Sequence, residues 1–380
     1  MIRIGVIGVG GMGNFHLRNI LGQRVARCKL TAICDIVEER MHPFDDVRKF
    51  VDSRELIRSG EVDAVLVATP HYGHTTIGID ALEQGLHVLV EKPISVHKAD
   101  AERLIAAHKD RNKVFAAMFN QRTDPHYQRI KKLVGDGELG EIQRTNWIIT
   151  NWFRPEAYYA SGGWRATWKG EGGGVLVNQC PHNLDLFQWI CGMPSRVTGF
   201  CSLGKYHDIE VEDEVTACFE YPNGATGVFV TSTGEHPGSN RLEIAGDRGK
   251  IVYEGETVRF YRNEVAASVF SKETPHTFAT PGLWNVEIPV NGYGGQHLEI
   301  LQNFIDAALD GKPLIAPAEE GIHSVELANA MLYSSLMGET VKIPLDGAAF
   351  EKRLQRLIAE SRHVKKAAEK VSEDMTGSFR

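Results

Sequence analysis

Cysteine is sparse in this chain, and what there is shows no metal-binding spacing. Six cysteines (Cys28, Cys34, Cys180, Cys191, Cys201, Cys218) are scattered over 380 residues without a C-x-x-C pair. That argues against structural zinc, and no metal site is expected. Several of the six lie in apolar segments, which suits buried thiols in a reducing, cytoplasmic compartment. No apolar run approaches the roughly 20 residues that cross a bilayer, so no membrane span is expected. Nor is there a basic stripe: the net charge is −7, which argues against nucleic acid as a partner. The amino terminus enters an apolar run at once, leaving no room for a signal-peptide pattern. No internal repeat is evident. A chain of this length usually forms two domains and has ample apolar content for a core.

What is present begins with Gly8-Val9-Gly10-Gly11-Met12-Gly13, directly behind the apolar run Ile4–Ile7. A helix-compatible stretch, Asn14–Leu21, follows, then a second apolar run, Leu30–Cys34, ending in Asp35. This is the strand–turn–helix–strand–acid order of a dinucleotide-binding fingerprint. Gly8 allows the tight turn, Gly10 lets a pyrophosphate approach, and Gly13 lets helix and strand pack closely. The helix's first N–H groups meet the phosphate charge. Asp35 accepts from the adenosine ribose hydroxyls and repels a 2′-phosphate, which favours NAD over NADP. The nearest cation in sequence is Arg40.

The first third alternates short apolar runs (Ala64–Ala68, His87–Val90, Val114–Phe119) with helical spacing over Thr75–Gln84 and Lys98–Arg111. That pattern predicts a parallel sheet with helices on both faces. Between Val37 and Ser53 the segment is short and carries Pro43, so the second helix is expected to be clipped. After Pro125 one more helix is expected, to about Val134. From Glu141 the texture changes to alternating polarity, in Ile142–Thr150, Val197–Leu203, Glu214–Tyr221, Thr226–Thr231, Arg241–Ala245 and Gly249–Tyr253. Turn residues such as Pro222-Asn223-Gly224 separate several of them, which predicts antiparallel sheet. Helices are expected over Pro181–Ile190, His297–Leu309 and Ile322–Met337, and a short strand over Thr340–Ile343. Beyond Glu360 a frayed helix or tail is expected.

Two further segments give a resemblance. Val90-Glu91-Lys92-Pro93 ends a parallel strand, at the edge where open α/β sheets bind ligands. Downstream, Gly172-Gly173-Gly174-Val175-Leu176-Val177-Asn178 precedes His182 and Asp185. With the amino-terminal fingerprint, residues 1 to about 345 resemble the glucose–fructose oxidoreductase / inositol dehydrogenase (Gfo/Idh/MocA) family. The resemblance implies an α/β fold: a Rossmann doubly wound parallel sheet over 1–124, then an α+β domain over 125–345. That second domain would carry an open, mainly antiparallel sheet, the substrate pocket and a homo-oligomer interface. A helix and tail (346–380) complete the chain.

The resemblance also assigns residues. Lys92 matches the lysine that touches both the nicotinamide ribose and the reacting hydroxyl, and the Lys92–Pro93 bond matches one often cis. Glu91 matches a residue beside the cofactor, and His182 the proton acceptor. Where the family often has an aspartate, this chain has Asn178, which orients a hydroxyl but holds no charge. Trp164 and Arg165 resemble an element that reaches the nicotinamide and substrate. Thr69, Pro70, His71 and His74 match the T-P-x-x-x-H turn that lines the cofactor, and Asn120 and Gln121 face it after the sixth strand. Gly8, Gly10, Gly11, Met12, Gly13 and Asp35 complete the expected NAD site.

Oxidising a secondary alcohol needs a proton acceptor, for which histidine's pKa near 6.5 is suited. It also needs a donor to the developing alkoxide, the role expected of Lys92. Asn178 and His182, four apart, are expected to share a helix face. Asn178 as a helix cap and Asp185 as an orienter of His182 are alternatives that sequence leaves open. Asn151–Tyr159, His236 and His297 are further candidates for the pocket lining that sequence does not rank. The leading expectation is NAD-dependent oxidation of a cyclic polyol, sugar or glycoside. Two others stand beside it: oxidation–elimination with NAD recycled, and a non-catalytic dinucleotide sensor.

Overall fold

The computed structural model describes residues 1–365; residues 366–380, where much of the expected tail falls, lie outside the described residues. The chain opens β1 (Ile2–Ile7), α1 (Gly11–Leu21), β2 (Cys28–Cys34), β3 (Arg48–Phe50), α2 (Ser53–Arg58) and β4 (Ala64–Val67). It continues α3 (His71–Glu83), β5 (His87–Val90), α4 (Lys98–Ala107) and β6 (Phe115–Ala117). The six strands form one sheet in the order β3-β2-β1-β4-β5-β6, all pairs parallel. β4 and β5 are buried throughout, as strands covered on both faces require.

Between β2 and β3 the expected clipped helix is a single 3₁₀ turn, Glu38–Met41. α3 starts a turn earlier than the apolar spacing indicates, directly after Pro70, so His71 and His74 lie on a helix. α4 stops at Ala107 rather than Arg111. The next residue, His108, is held by Lys113 O and Glu319 Oε1, each at 2.7 Å, which turns the chain.

The second half runs α5 (Pro125–Gly135), β7 (Ile142–Ile149), α6 (Glu156–Ala160), α7 (Pro181–Cys191), β8 (Arg196–Leu203) and β9 (Glu212–Glu220). Then come β10 (Thr226–Ser232), β11 (Asn240–Gly246), β12 (Gly249–Glu254), β13 (Thr257–Asn263), α8 (Ala267–Glu273) and β14 (Leu283–Ile288). The described chain closes with α9 (Gln296–Asp310), α10 (Gly321–Met337), β15 (Val341–Lys342) and α11 (Gly347–Glu360). The second sheet has nine strands, in the order β14-β13-β12-β11-β7-β10-β9-β8-β15. Beyond the strands expected, β13 and β14 extend one edge.

One pair in that sheet, β7 with β10, is parallel. β10 and β11 run in opposite directions, so a strand inserted between them must be parallel to one. The remainder is antiparallel. All six cysteines are free, but only Cys34 and Cys180 are fully buried, and Cys218 is exposed on a strand. No helix among the described residues is long and apolar enough to cross a membrane.

Two hydrophobic cores result. The first surrounds the parallel sheet and includes Ile300, Leu301, Phe304 and Ile305 of α9, so a late helix returns to the first unit. Those positions form one apolar stripe of the helix. The second lies under the larger sheet and takes in Leu184 and Phe187 of α7 and Leu327 and Met331 of α10. α7 is thereby buried on nearly every side, with its amino terminus near the carboxyl edge of the parallel sheet.

Candidate active site

In the parallel sheet the strand order reverses between β1 and β4, which opens a crevice at the carboxyl ends. The turn after β1 forms its floor. Gly8 sits at φ +92°, and a Cβ there would lie 2.6 Å from Ala68 O. A Cβ on Gly13 would lie 1.7 Å from Gly8 O, so helix and turn meet without room for a side chain. At Gly10, by contrast, the space a Cβ would enter is open within 4 Å. α1 has no side-chain cap and no acid in its first turn. The N–H groups of Gly11, Met12 and Gly13 thus face the open side, a site suited to a diphosphate.

Asp35 is buried at the end of β2. Its Oδ2 accepts from Val9 N at 2.7 Å and its Oδ1 from Val37 N at 2.8 Å. The second lone pair of each oxygen is met only by long contacts to Arg40 Nη1, at 3.4 and 3.5 Å, which a ribose hydroxyl would displace. Arg40 has swung to 3.4 Å from Asp35 Oδ1, with its side chain half exposed.

The crevice walls carry buried polar atoms that lack partners. Thr69 Oγ1, His71 Nδ1, Asn120 Oδ1, Gln121 Oε1 and His182 Nδ1 have none among the described residues. Such atoms are rare in a folded interior; of the eight among the described residues, these five lie on the segments after β4 and β6 and at the start of α7. The open Gly10 face, the uncapped helix and these atoms together fit a dinucleotide. Trp164 completes this wall, its ring edge-on to His71 at 5.4 Å. His74 is engaged within the protein. Its Nδ1 lies 2.7 Å from Pro93 O and its Nε2 2.8 Å from Thr69 O, so the ring is wedged between two turns and its one N–H in the neutral form bonds one of the two carbonyls. Pro70 begins that turn, immediately before α3.

Glu91 is fixed by a residue the sequence reading did not single out. His16 of α1 bonds its Oε1 through Nε2 at 2.7 Å, both side chains being buried. Burial works against the Glu91 charge, yet the His16 hydrogen bond and the pull of His16, His297 and Lys92 outweigh it and bring the carboxyl down to about 2. His297, on α9, stands 5.7 Å from the His16 ring, and burial brings it down to about 4. The Lys92–Pro93 bond is cis.

Lys92 Nζ crosses to the second half of the chain and donates to the main-chain oxygen of Asn178 at 2.8 Å. Burial lowers its pKa, partly offset by Glu91 and Glu171. The segment 171–180 that receives it is a turn, and α7 begins only at Pro181 with Cys180 as its cap residue. Asn178 and His182 therefore do not share a helix face, and Asn178 caps nothing. Its Nδ2 donates to Glu171 Oε1, and its Oδ1 accepts from Tyr158 OH at 3.2 Å. Tyr158 OH in turn accepts from Arg165 Nη1 at 2.8 Å and from Gln179 Nε2 at 3.0 Å. The Arg165 guanidinium is sandwiched between the Tyr158 and Trp164 rings, at 4.6 and 4.7 Å.

His182 is buried, and its Nδ1 has no hydrogen-bond partner among the described residues. Burial, then the Lys92 and His297 charges, hold it well below the ordinary imidazole range. Asp185 does not orient it. Asp185 instead binds the buried Arg122 through two bonds, at 2.6 and 2.7 Å, and Arg122 also reaches Glu320. This network locks α7 to the segment after β6. Sequence spacing missed His16 and Glu171, because one acts on a residue distant in the chain and the other through an irregular turn; Tyr158 falls in the stretch Asn151–Tyr159 that sequence does not rank.

The site and fold define an NAD-binding oxidoreductase. The family model for the oxidoreductase family with an NAD-binding Rossmann fold matches residues 2–119, and that for the GFO/IDH/MocA C-terminal domain matches residues 127–252. The chain belongs to the Gfo/Idh/MocA family. It is 25% identical over 354 residues to myo-inositol 2-dehydrogenase of Thermotoga maritima, covering 90% of this chain and 98% of that one. It is 23% identical to levoglucosan dehydrogenase of Pseudarthrobacter phenanthrenivorans, with the same coverage. The fold matches that of the WlbA dehydrogenase from Bordetella pertussis, solved with NADH and UDP-GlcNAcA. The TM-score is 0.75 at 24% identity, over 91% of this chain and 99% of that one.

Proposed function

We propose that this protein oxidises a secondary hydroxyl of a cyclic polyol, sugar or glycoside, with Lys92 and His182 handling the proton. One observation carries the reading. Two residues 90 positions apart in sequence converge on one buried crevice, one with its amine reaching across to the other's segment. NAD, when bound, supplies the hydride acceptor. The residues of the chain do the rest. His182, held neutral by its surroundings, takes the hydroxyl proton. The Lys92 ammonium donates to the oxygen as charge develops on it, in a site with little water to screen the interaction. Asn178 retains one N–H and one lone pair to orient a neighbouring hydroxyl. Trp164 and Arg165 close the nicotinamide side, and Asp35 selects NAD over NADP.

Assembly into a homo-oligomer through the outer face of the large sheet belongs to the same proposal. Ile148, Val230, Thr216 and Phe200 form one cross-strand row there, with Ile148 and Phe200 40% and 64% exposed. The test is a panel of inositols, monosaccharides and glycosides with NAD and NADP, followed by absorbance of the reduced nicotinamide. NADH formation that is lost in both Lys92→Ala and His182→Ala supports the reading. Substrate conversion without net NADH favours oxidation–elimination. Tight NADH binding with no conversion of any panel member favours the sensor.

A further inference from the structure

We propose that Glu171 is the carboxylate of the Lys92 site, acting across the Asn178 side chain, and that it fixes which way the Asn178 amide faces. The inference rests on the placing of Lys92 and Asn178 in the site, and deepens it. Asn178 is neutral, and the ammonium of Lys92 lands on its uncharged main-chain oxygen. Two carboxylates act on that ammonium, Glu91 and Glu171, against Arg165 and Arg154. Glu91 is already engaged by His16. Glu171 is not matched to any cation by an ion pair among the described residues.

Glu171 is 2% exposed, in a pocket formed by its own loop. Its Oε2 accepts from Ala166 N at 2.5 Å, and its Oε1 accepts from Asn178 Nδ2. A carboxylate accepts but does not donate, so the NH₂ end of Asn178 must face it and the carbonyl end must face Tyr158. A flipped amide would set oxygen against oxygen. Around Glu171 the charged and titratable groups are Arg165, Lys365, Lys92, Glu212, Tyr158, Tyr159 and His71. Lys365 is placed by its bond to Arg165 O at 2.7 Å. Burial raises the Glu171 pKa, opposed first by the Ala166 N–H.

Two consequences follow. Removing the charge in Glu171→Gln leaves Lys92 less favoured as an ammonium. Introducing a second carboxylate in Asn178→Asp puts two acids in contact, and the pair must hold a proton. An aspartate at 178 is thus expected to harm this protein unless Glu171 is neutralised as well. The sign is definite. A carboxyl whose folded pKa is raised stabilises the fold at low pH and loses that contribution as pH rises through the raised value.

The experiment uses the full chain with 13Cε-labelled lysine. The Lys92 resonance is assigned by its loss in Lys92→Arg and titrated in wild type and Glu171→Gln. A fall of about one pH unit in the Lys92 titration is expected in Glu171→Gln. In parallel, Tm is followed from pH 5 to pH 8 for wild type, Asn178→Asp and Glu171→Gln/Asn178→Asp. Asn178→Asp is expected to lose Tm relative to wild type as pH rises, and the double variant to recover it. An unmoved Lys92 titration in a Glu171→Gln protein that still binds NADH overturns the inference. So does a double variant no better than Asn178→Asp, which remains readable if Glu171→Gln alone does not fold. These readouts need no substrate, so a failed substrate screen would overturn the proposed reaction and leave them standing.

Discussion

The two sides of the crevice are built on different plans. The diphosphate end of the cofactor side is made of main chain: an uncapped helix start, a turn too tight for a Cβ, and short loops at the ends of β1, β4, β5 and β6. The proposed substrate side is made of side chains bonded to one another across sequence: Glu171 to Asn178, Asn178 to Tyr158, Tyr158 to Arg165, and Lys92 to the Asn178 oxygen. Two buried carboxylates show the contrast. Glu91, bonded to His16, is brought down to about 2, whereas Glu171, capped by one N–H and an amide, is raised by burial. A main-chain site tolerates variation in the side chains around it. A side-chain network does not, and it is where a family with one cofactor would vary its substrates.

The largest effect is expected on the proposed catalytic pair. If Lys92 donates to the developing alkoxide as proposed, Lys92→Ala is expected to lower kcat by about 10²–10³-fold. NADH affinity, read by fluorescence quenching, is expected to change little. A variant that loses NADH binding and turnover in proportion would place Lys92 on the cofactor side of the comparison.

Next in size is the Gly turn. Gly13→Ala puts a Cβ 1.7 Å from Gly8 O, so the turn must shift. NADH binding is expected to fall at least tenfold by calorimetry, with the second sheet intact by circular dichroism. Unchanged affinity would mean that the turn does not hold the diphosphate.

Asp35→Ser is expected to weaken NAD by about 10- to 100-fold, the worth of hydrogen bonds to a charged group at ~1.5–3 kcal/mol. NADP is expected to gain relative to NAD, because Arg40, released from Asp35, is placed to meet a 2′-phosphate. Wild-type kcat/KM equal for both cofactors would contradict the role given to Asp35. The smallest effect is expected from Asn178→Ala. One lost hydrogen bond costs about 0.5–1.5 kcal/mol, seen as a raised KM. A kcat loss as deep as that of Lys92→Ala would show the whole network, rather than one contact, to be at stake.

The same contrast explains what was legible in the sequence. The parallel sheet, its Gly turn and Asp35 are written in contiguous residues, and apolar runs such as His87–Val90 survive unchanged in the structure. Lys92 and His182 were legible through family spacing, and the structure brings them to the same crevice. The Glu171–Asn178–Tyr158 network was not legible. Nothing in the local pattern distinguishes Glu171 from a solvated acid beside a glycine run, and its partner lies seven residues on, in an irregular turn. His16 reads as one polar residue within a helix, and only the fold sets it against Glu91. Asp185, three residues after His182, illustrates the converse. Its spacing suggested an orienter, but the buried Arg122, 63 residues earlier, claims it.

The central claim is that a neutral His182 accepts the proton, and the pH–rate profile of His182→Ala against wild type tests it most directly. His182 is held below its ordinary pKa, so the base is neutral at neutral pH and is lost only as pH falls through the lowered value. Wild-type kcat/KM on a substrate found in the panel is predicted to stay level down to pH 6.5 and to drop at lower pH. His182→Ala is predicted to turn over about 10²–10⁴-fold more slowly, with that acidic limb gone. Intact turnover in His182→Ala, with the acidic limb unchanged, would contradict the account.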